Sequence, residues 1–212
     1  MADIIAVAQQ KGGAGKTMLA ANLAVCLGRH ASVALLDIDQ QGSLTRWHRL
    51  RQGAGKAQVV LHLSEIASWR LAAELERLSR VHDIVIIDTP PQIELDARLA
   101  IRSATLVLVP IQPSLPDLWA AEGTLALAAA ERRPARVVLN RAPATGALRR
   151  QVEAALAKSG VAQFATVIGN RAGLSTAFAS GLAVGETAPK SAAAAEMAAL
   201  AGEITALLGR GA

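Results

Sequence analysis

The chain has 212 residues, long enough for one sizeable α/β domain and short for two. Its hydrophobic content of 52% permits a well-filled core, and a formal charge of +5 with a pI near 10.1 favours polyanionic partners. One cysteine leaves no disulfide framework or metal–cysteine cluster within a chain, no tyrosine and two phenylalanines argue against a base-stacking platform, and no apolar run is long enough to span a bilayer.

The N-terminus lacks the basic-then-apolar plan of a signal peptide, and the lone Cys26 reads as a small buried apolar residue; both suit a reducing cytoplasm. The run from Ile4 to Ala8 predicts a buried strand. Leu19, Leu23 and Leu27 recur at helical spacing and predict a helix from Met18 to Arg29. Between them lies Gln9-Gln10-Lys11-Gly12-Gly13-Ala14-Gly15-Lys16-Thr17, a Gly-rich turn from a strand into a helix N-terminus. Such a turn binds phosphate: glycines let the backbone approach closely, successive N–H groups form an anion nest, and the helix dipole adds positive potential. Lys16 is placed to reach the β- and γ-phosphates and the Thr17 hydroxyl to ligate Mg²⁺. Gln10 stands where the standard pattern has glycine, and Lys11 adds a second lysine.

Ala31 to Asp37 predicts a second strand, running into Asp37-Ile38-Asp39-Gln40-Gln41-Gly42-Ser43, with Ser43 available to cap the next helix. Two carboxylates at a strand's carboxyl end face the crevice where α/β sheets bind ligand. A short helix from Leu44 carries Arg46, Arg49 and Arg51. Gly53 to Lys56 reads as a plain loop, and Gln58 to Leu61 as a short edge strand. A helix from Trp69 to Arg80 turns Leu71, Leu75 and Leu78 inward, with Glu74, Glu76, Arg77 and Arg80 on a solvated face. Asp83 to Asp88 is a β-branched strand stopped by Thr89-Pro90-Pro91, and an apolar strand ending in Asp88 suits the Mg²⁺ shell opposite Thr17. Glu94 and Asp96 fall at a helix start, where the dipole accounts for them.

Thr105 to Ile111 predicts another strand. The proline-rich loop Gln112 to Asp117 follows, then a helix from Leu118 to Glu131 with Trp119 partly buried. Ala135 to Leu139 is a strand ending at Asn140, whose amide has the donor and acceptor that an adenine edge needs. A helix from Thr145 to Ser159 carries Arg149, Arg150 and Lys158. The last strand is expected within Val161 to Ile168, and a helix from Leu174 to Ser180 follows Arg171. In the final helix, Ser191 to Leu208, the stripe Met197, Leu200, Ile204, Leu207 and Leu208 reads as core packing. Strands alternating with helices throughout predict an α/β fold of three layers, a mostly parallel twisted sheet with helices on both faces, as one domain over 1–212.

Lys11-Gly12-Gly13-Ala14-Gly15-Lys16-Thr17 resembles the deviant Walker A box of the ParA/MinD family of P-loop ATPases. Asp37 to Ser43 and Asp88 to Pro91 are similar to that family's two switch segments. Nearly the whole chain fits the small ParA-like partition ATPases that lack an N-terminal DNA-binding domain. The resemblance implies ATP held by Gly12 to Met18, with Met18 where the family usually has a second Thr or Ser. It implies Mg²⁺ near Thr17, Asp39 and Asp88, and a signature lysine, Lys11, that crosses to the other subunit's phosphates in an ATP-sandwich homodimer. Asp39 matches the carboxylate that orients the attacking water, Gln40 stands where the family has proline, and Asn140 matches an adenine reader. Also implied are non-specific duplex DNA, with Arg171, Arg149 and Arg150 as contact candidates, and a ParB-like or other small adaptor that stimulates hydrolysis. A cytoplasmic protein is expected, nucleoid-associated when ATP-bound.

Rival readings are a MinD-type membrane-cycling ATPase, a metabolic ligase relative and a nucleotide-binding scaffold without turnover. The final helix has neither the basic cluster nor the aromatic anchors of a membrane-targeting helix, so no membrane partner is expected.

Overall fold

The computed structural model describes residues 2–66, 68–91 and 95–210. In chain order the elements are β1 (Asp3–Val7), α1 (Lys16–Leu27), β2 (Val33–Asp37), α2 (Ser43–Gly53), β3 (His62–Glu65), a 3-10 turn (Ser68–Arg70) and α3 (Leu71–Leu78). There follow β4 (Ile84–Asp88), α4 (Leu95–Ser103), β5 (Leu106–Ile111), α5 (Leu115–Ala130), β6 (Ala135–Leu139), α6 (Ala147–Ser159), α7 (Ala172–Ala179), α8 (Val184–Thr187) and α9 (Ala192–Leu207). Among the described residues the strands form one sheet in the order β3-β2-β4-β1-β5-β6, and every pair is parallel.

The strands are apolar on both faces because both are covered. Ile5 and Val7 of β1, Leu35 of β2, Ile86 of β4 and Leu108 of β5 join Leu23, Trp47, Leu174, Met197 and Ile204 of α1, α2, α7 and α9 in one core. Their neighbours Ala6, Leu36, Ile87 and Val109 join Leu75, Ile101, Ala121 and Val152 of α3 to α6 in the other. This is the three-layer α/β fold that the alternation of elements implies, and it is the P-loop NTPase fold that the resemblance implies. β1 lies between β4 and β5, so the chain leaves it toward one side for β2 and toward the other for β5. That reversal opens a crevice at the carboxyl ends of the strands. In register there, Asp88 pairs with both Val7 and Asp37, which sets two carboxylates beside the phosphate-binding turn.

Several boundaries differ from the expectations. The edge strand is His62–Glu65, not Gln58 to Leu61; pairing with β2 makes it a strand, whereas its residues, none of them buried, carry no apolar run. Residues 161–168 form no ladder and make only an isolated bridge, Gln163 to Val137. Ser43 is the first residue of α2 rather than its cap; Gly42 occupies the cap, and the Asp37 carboxylate accepts from the Thr45 backbone N–H instead. α5 starts at Leu115, because the Ser114 hydroxyl accepts from the Asp117 N–H and Pro116 suits the first turn. Trp119 is 60% exposed rather than partly buried, and Cys26 is half-buried against the first core. In α9, Met197, Leu200 and Ile204 are buried as expected, but Leu207 is 41% exposed. The expectation for Glu94 lies outside the described residues; Asp96 is in the first turn of α4.

Candidate functional site

The phosphate loop joins β1 to α1. Gly13 (φ 82°) and Gly15 (φ 88°) take left-handed backbone, and around Gly12 and Gly13 the space for a Cβ is open, so backbone N–H groups border free volume. A Cβ on Gly15 would lie 2.5 Å from Asn140 Nδ2, a second reason for glycine there. Ala14 is buried with its carbonyl turned back to accept from Asn140 Nδ2 at 2.8 Å. Gln10 fits in place of the usual glycine because Gly123 on α5 makes room for it: a Cβ there would meet Gln10 Nε2 at 2.2 Å.

Lys16 is buried, its Nζ 3.2 Å from the Gln9 carbonyl. Burial pulls its pKa down against the opposing charges of Asp88 and Asp39. Asp88 is fully buried at the end of β4 and neither carboxylate oxygen has a hydrogen-bond partner. Burial, first, pushes its pKa up to about 7; the adjacent Thr17 hydroxyl, outside hydrogen-bonding geometry, and Lys16 oppose this, while the charges of Asp37 and Asp39 add to it. Asp37 does other work. Its Oδ2 accepts from the Thr45 N–H and hydroxyl, both at 2.8 Å, and its Oδ1 from the Asp39 N–H at 3.2 Å, which fixes the loop carrying Asp39. Burial raises the Asp37 pKa, opposed by those bonds.

These groups border a cleft of about 400 Å³. Its lining includes Lys16, Thr17 and Asp39, which surround the buried Asp88, together with Ser43, Met18, Arg141, Ser175, Phe178 and Ala179. The residues fit a magnesium–nucleotide. A polar carboxylate buried without a partner is costly unless a ligand or hydrated ion completes it, and Asp88 is such a group beside an open anion cradle. Among the described residues no three or more His, Cys, Asp or Glu side chains could hold a metal by themselves, so Thr17, phosphate oxygens and water would complete the shell.

Other expected residues sit around the cleft. Lys11 does not line it: its Nζ is 2.5 Å from Oδ2 of Asp117, whose side chain is 2% exposed against 43% for Lys11. Asn140 is buried behind the loop, with Nδ2 on the Ala14 carbonyl and Oδ1 accepting from the Arg141 N–H at 3.0 Å. Arg171 is paired with Glu196 at 2.6 Å and Arg149 with Glu153 at 2.9 Å, whereas Arg150 is exposed without an ion pair among the described residues. Asp117, Arg141, Ser175 and Phe178 were not anticipated as site residues. A carboxylate in the first turn of α5, after a proline, was the one available signal for Asp117.

A family model described as the CobQ/CobB/MinD/ParA nucleotide binding domain matches residues 5–184. The carboxysome distribution protein A of Halothiobacillus neapolitanus is 29% identical over 190 residues, 85% of each chain. The chromosome-partitioning ATPase Soj of Thermus thermophilus is 30% identical over 95% of each chain. An ATP complex of a Cyanothece McdA variant superposes with a TM-score of 0.80 at 19% identity, covering 100% of this chain and 98% of that one, which establishes likeness of fold. The chain therefore belongs to the ParA/MinD family of nucleotide-binding P-loop ATPases.

Proposed function

We propose that the protein is a positioning ATPase that closes into an ATP-sandwich dimer, binds duplex DNA without sequence preference, and is reset by partner-stimulated hydrolysis of ATP to ADP and phosphate. The observation that carries this reading is the pairing of an intact phosphate site with a second lysine directed away from it. Lys16 serves its own cleft, while Lys11 is held outside by Asp117. That placement supports a role for Lys11 at a second subunit's phosphates. Lys16 and the loop N–H groups would bind the phosphates, Thr17, Asp88 and Asp39 would hold the hydrated ion, and Asp39 would orient the attacking water. Bound Mg²⁺ neutralises charge developing on the phosphate oxygens. Asn140 braces the loop from behind through Ala14. Dimer closure would gather exposed basic residues, Arg150 among them, onto one surface for phosphate-backbone contact, with Arg171 and Arg149 contributing once released from their carboxylates. An adaptor protein of ParB-like role would complete the geometry around Asp39, and the cargo would be a plasmid, a chromosome locus or a protein assembly, as in the partition and carboxysome-distribution relatives.

Co-sedimentation with duplex DNA in ATP, in ADP and with Lys16→Ala, at two salt concentrations, tests the reading. Binding in ATP alone, lost in Lys16→Ala and weakened by salt, is expected. Binding to anionic vesicles instead would favour a membrane-cycling ATPase, against which stands the burial of Met197, Leu200 and Ile204 of α9 in the core. No helix among the described residues is long and apolar enough to cross a membrane.

A further inference from the structure

The two edges of the sheet are finished differently. Alongside β6, the Phe164 N–H donates to the Val137 carbonyl and the Ile168 N–H to the Leu139 carbonyl, so that edge is partly covered. Beyond β3 no further strand pairs among the described residues. In the β2–β3 register Ser64 lies opposite Leu36, and the Ile66 N–H donates to the Asp37 carbonyl. A parallel strand turns the backbone groups of successive residues to alternate sides. His62, Ser64 and Ile66 therefore bond toward β2, and Leu61, Leu63 and Glu65 present N–H and C=O to the open side. The Leu61 carbonyl accepts from His48 Nε2 at 3.0 Å. Among the described residues, no hydrogen bond from outside the sheet reaches the Leu63 or Glu65 backbone.

Sheet edges are commonly blunted by proline or by a covering loop. β3 contains no proline, and the large apolar side chains just before and after it are bare. Val60 is 97% exposed and Trp69 76% exposed, with the Arg70 guanidinium 4.8 Å over the indole ring. Arginines border both faces of the strand. Arg49 of α2 pairs with Glu65 at 3.4 Å, and Arg77 of α3 lies 3.2 Å from His62 Nε2 while pairing with Glu74. Both nearby carboxylates are thus already engaged. Arg46, one turn before Arg49, and Arg70 are exposed with no ion pair among the described residues, so the local surplus is positive. Two copies of β3 laid edge to edge would bring these arginines together, which disfavours a second copy as the occupant.

We propose that β3 is a docking edge that takes an extended, acidic segment of a partner protein as an added strand. Main-chain bonds at Leu63 and Glu65 set its register, Val60 and Trp69 meet its apolar side chains, and Arg46 and Arg70 select its carboxylates. Docking here needs no nucleotide, so its test is independent of the cleft.

Fluorescence anisotropy reads the binding of a short labelled peptide of alternating glutamate and valine to the intact chain. Companion peptides replace glutamate by lysine, or carry N-methyl groups along one edge or the other, which removes main-chain donors and keeps the charge. The acidic peptide is expected to bind about tenfold or more tighter than the lysine peptide, and N-methylation of one edge but not the other to cost about tenfold. Glu65→Pro deletes an outward N–H and leaves the β2 bonds in place, and Arg70→Glu reverses a charge at the exposed rim; each should weaken binding about fivefold, with thermal melts checking folding. Absent binding of the acidic peptide, equal binding of the lysine peptide, or N-methylation harmless on both edges would each overturn the proposal. A nucleotide-independent dimer in sedimentation that Glu65→Pro abolishes would also overturn it, assigning the edge to a second copy of the chain.

Discussion

Lys11 and Asp117, 106 residues apart, form a 2.5 Å ion pair in which the carboxylate is buried and the ammonium is not. The same Oδ2 accepts from the Ser114 hydroxyl, and Oδ1 has no partner. Asp117 is thus a buried receptor on α5 and Lys11 its more exposed partner on the phosphate loop. Lys11→Ala leaves a buried carboxylate short of its cation and should destabilise the chain by about 1–3 kcal/mol. Asp117→Asn removes that charge, so the double variant should recover much of the loss, read by urea unfolding as a coupling in a double-mutant cycle. Asp117→Asn should also release Lys11 and lower the protein concentration needed for ATP-dependent dimerisation about threefold or more, measured by sedimentation; 0.65 kcal/mol or so of released pairing suffices for that. Strictly additive unfolding energies would remove the pair from the account.

Asp88 is held where its own fold does not satisfy it. Replacing an unpartnered buried carboxylate by a neutral isostere removes a desolvation cost, so Asp88→Asn should raise stability by about 1–2 kcal/mol while abolishing the Mg²⁺-dependent part of ADP affinity. Unfolding in urea and ADP titration with and without EDTA read the two effects. A variant less stable than wild type would show that Asp88 contributes to folding rather than to ligand.

What the sequence disclosed was what is local. The phosphate loop, the two carboxylate-ended strands and the Leu71, Leu75, Leu78 stripe each declare themselves within a dozen residues, because phosphate binding and apolar periodicity are short-range patterns. β3 was displaced since His62-Leu63-Ser64-Glu65 is a strand only through its register with β2. Arg141 and Phe178 were missed because nothing in their own segments marks them, and Asp117 because a first-turn carboxylate is ordinary; their partners Gly13, Trp47 and Lys11 each lie more than 100 residues away.

Glu74 shows a pH dependence whose sign is fixed. Its carboxylate accepts two bonds from Arg77, at 2.6 and 3.0 Å, and one from Ser64 at 2.5 Å. The Arg77 bonds, foremost, with Ser64 assisting, hold its pKa at about 2 against partial burial, below the ordinary value of about 4.3. A depressed acid contributes stability in full above the unfolded pKa and loses it as pH falls through the folded one. The difference in unfolding free energy between wild type and Glu74→Gln should therefore be constant above about pH 5 and shrink toward pH 2. A difference unchanged across that range would dissociate Glu74 from the acid limb.

Two glycines with similar backbone should respond unequally to substitution, which separates strain from contact. Gly160 (φ 68°) ends α6 with open space around it, whereas Gly181 (φ 73°) is pressed on α2: a Cβ there would lie 2.4 Å from the Arg51 nitrogen and 2.5 Å from the Leu50 carbonyl carbon. That contact is part of a weld between α2 and the segment after α7. Trp47 stacks on Phe178 at 6.1 Å, and Arg51 forms a buried pair with Glu186 at 2.7 Å while its Nη2 reaches the Val59 carbonyl. Because the obstructing atoms are backbone, neither side can yield without parting these bonds. Gly160→Ala should cost about 1–2 kcal/mol from the left-handed backbone alone, and Gly181→Ala about 3 kcal/mol or more, since overpacking adds to the same strain. Equal costs in thermal or urea unfolding would mean that α2 can withdraw from Gly181. Phe178 would then be a wall of the cleft that moves freely of the helix following Asp39.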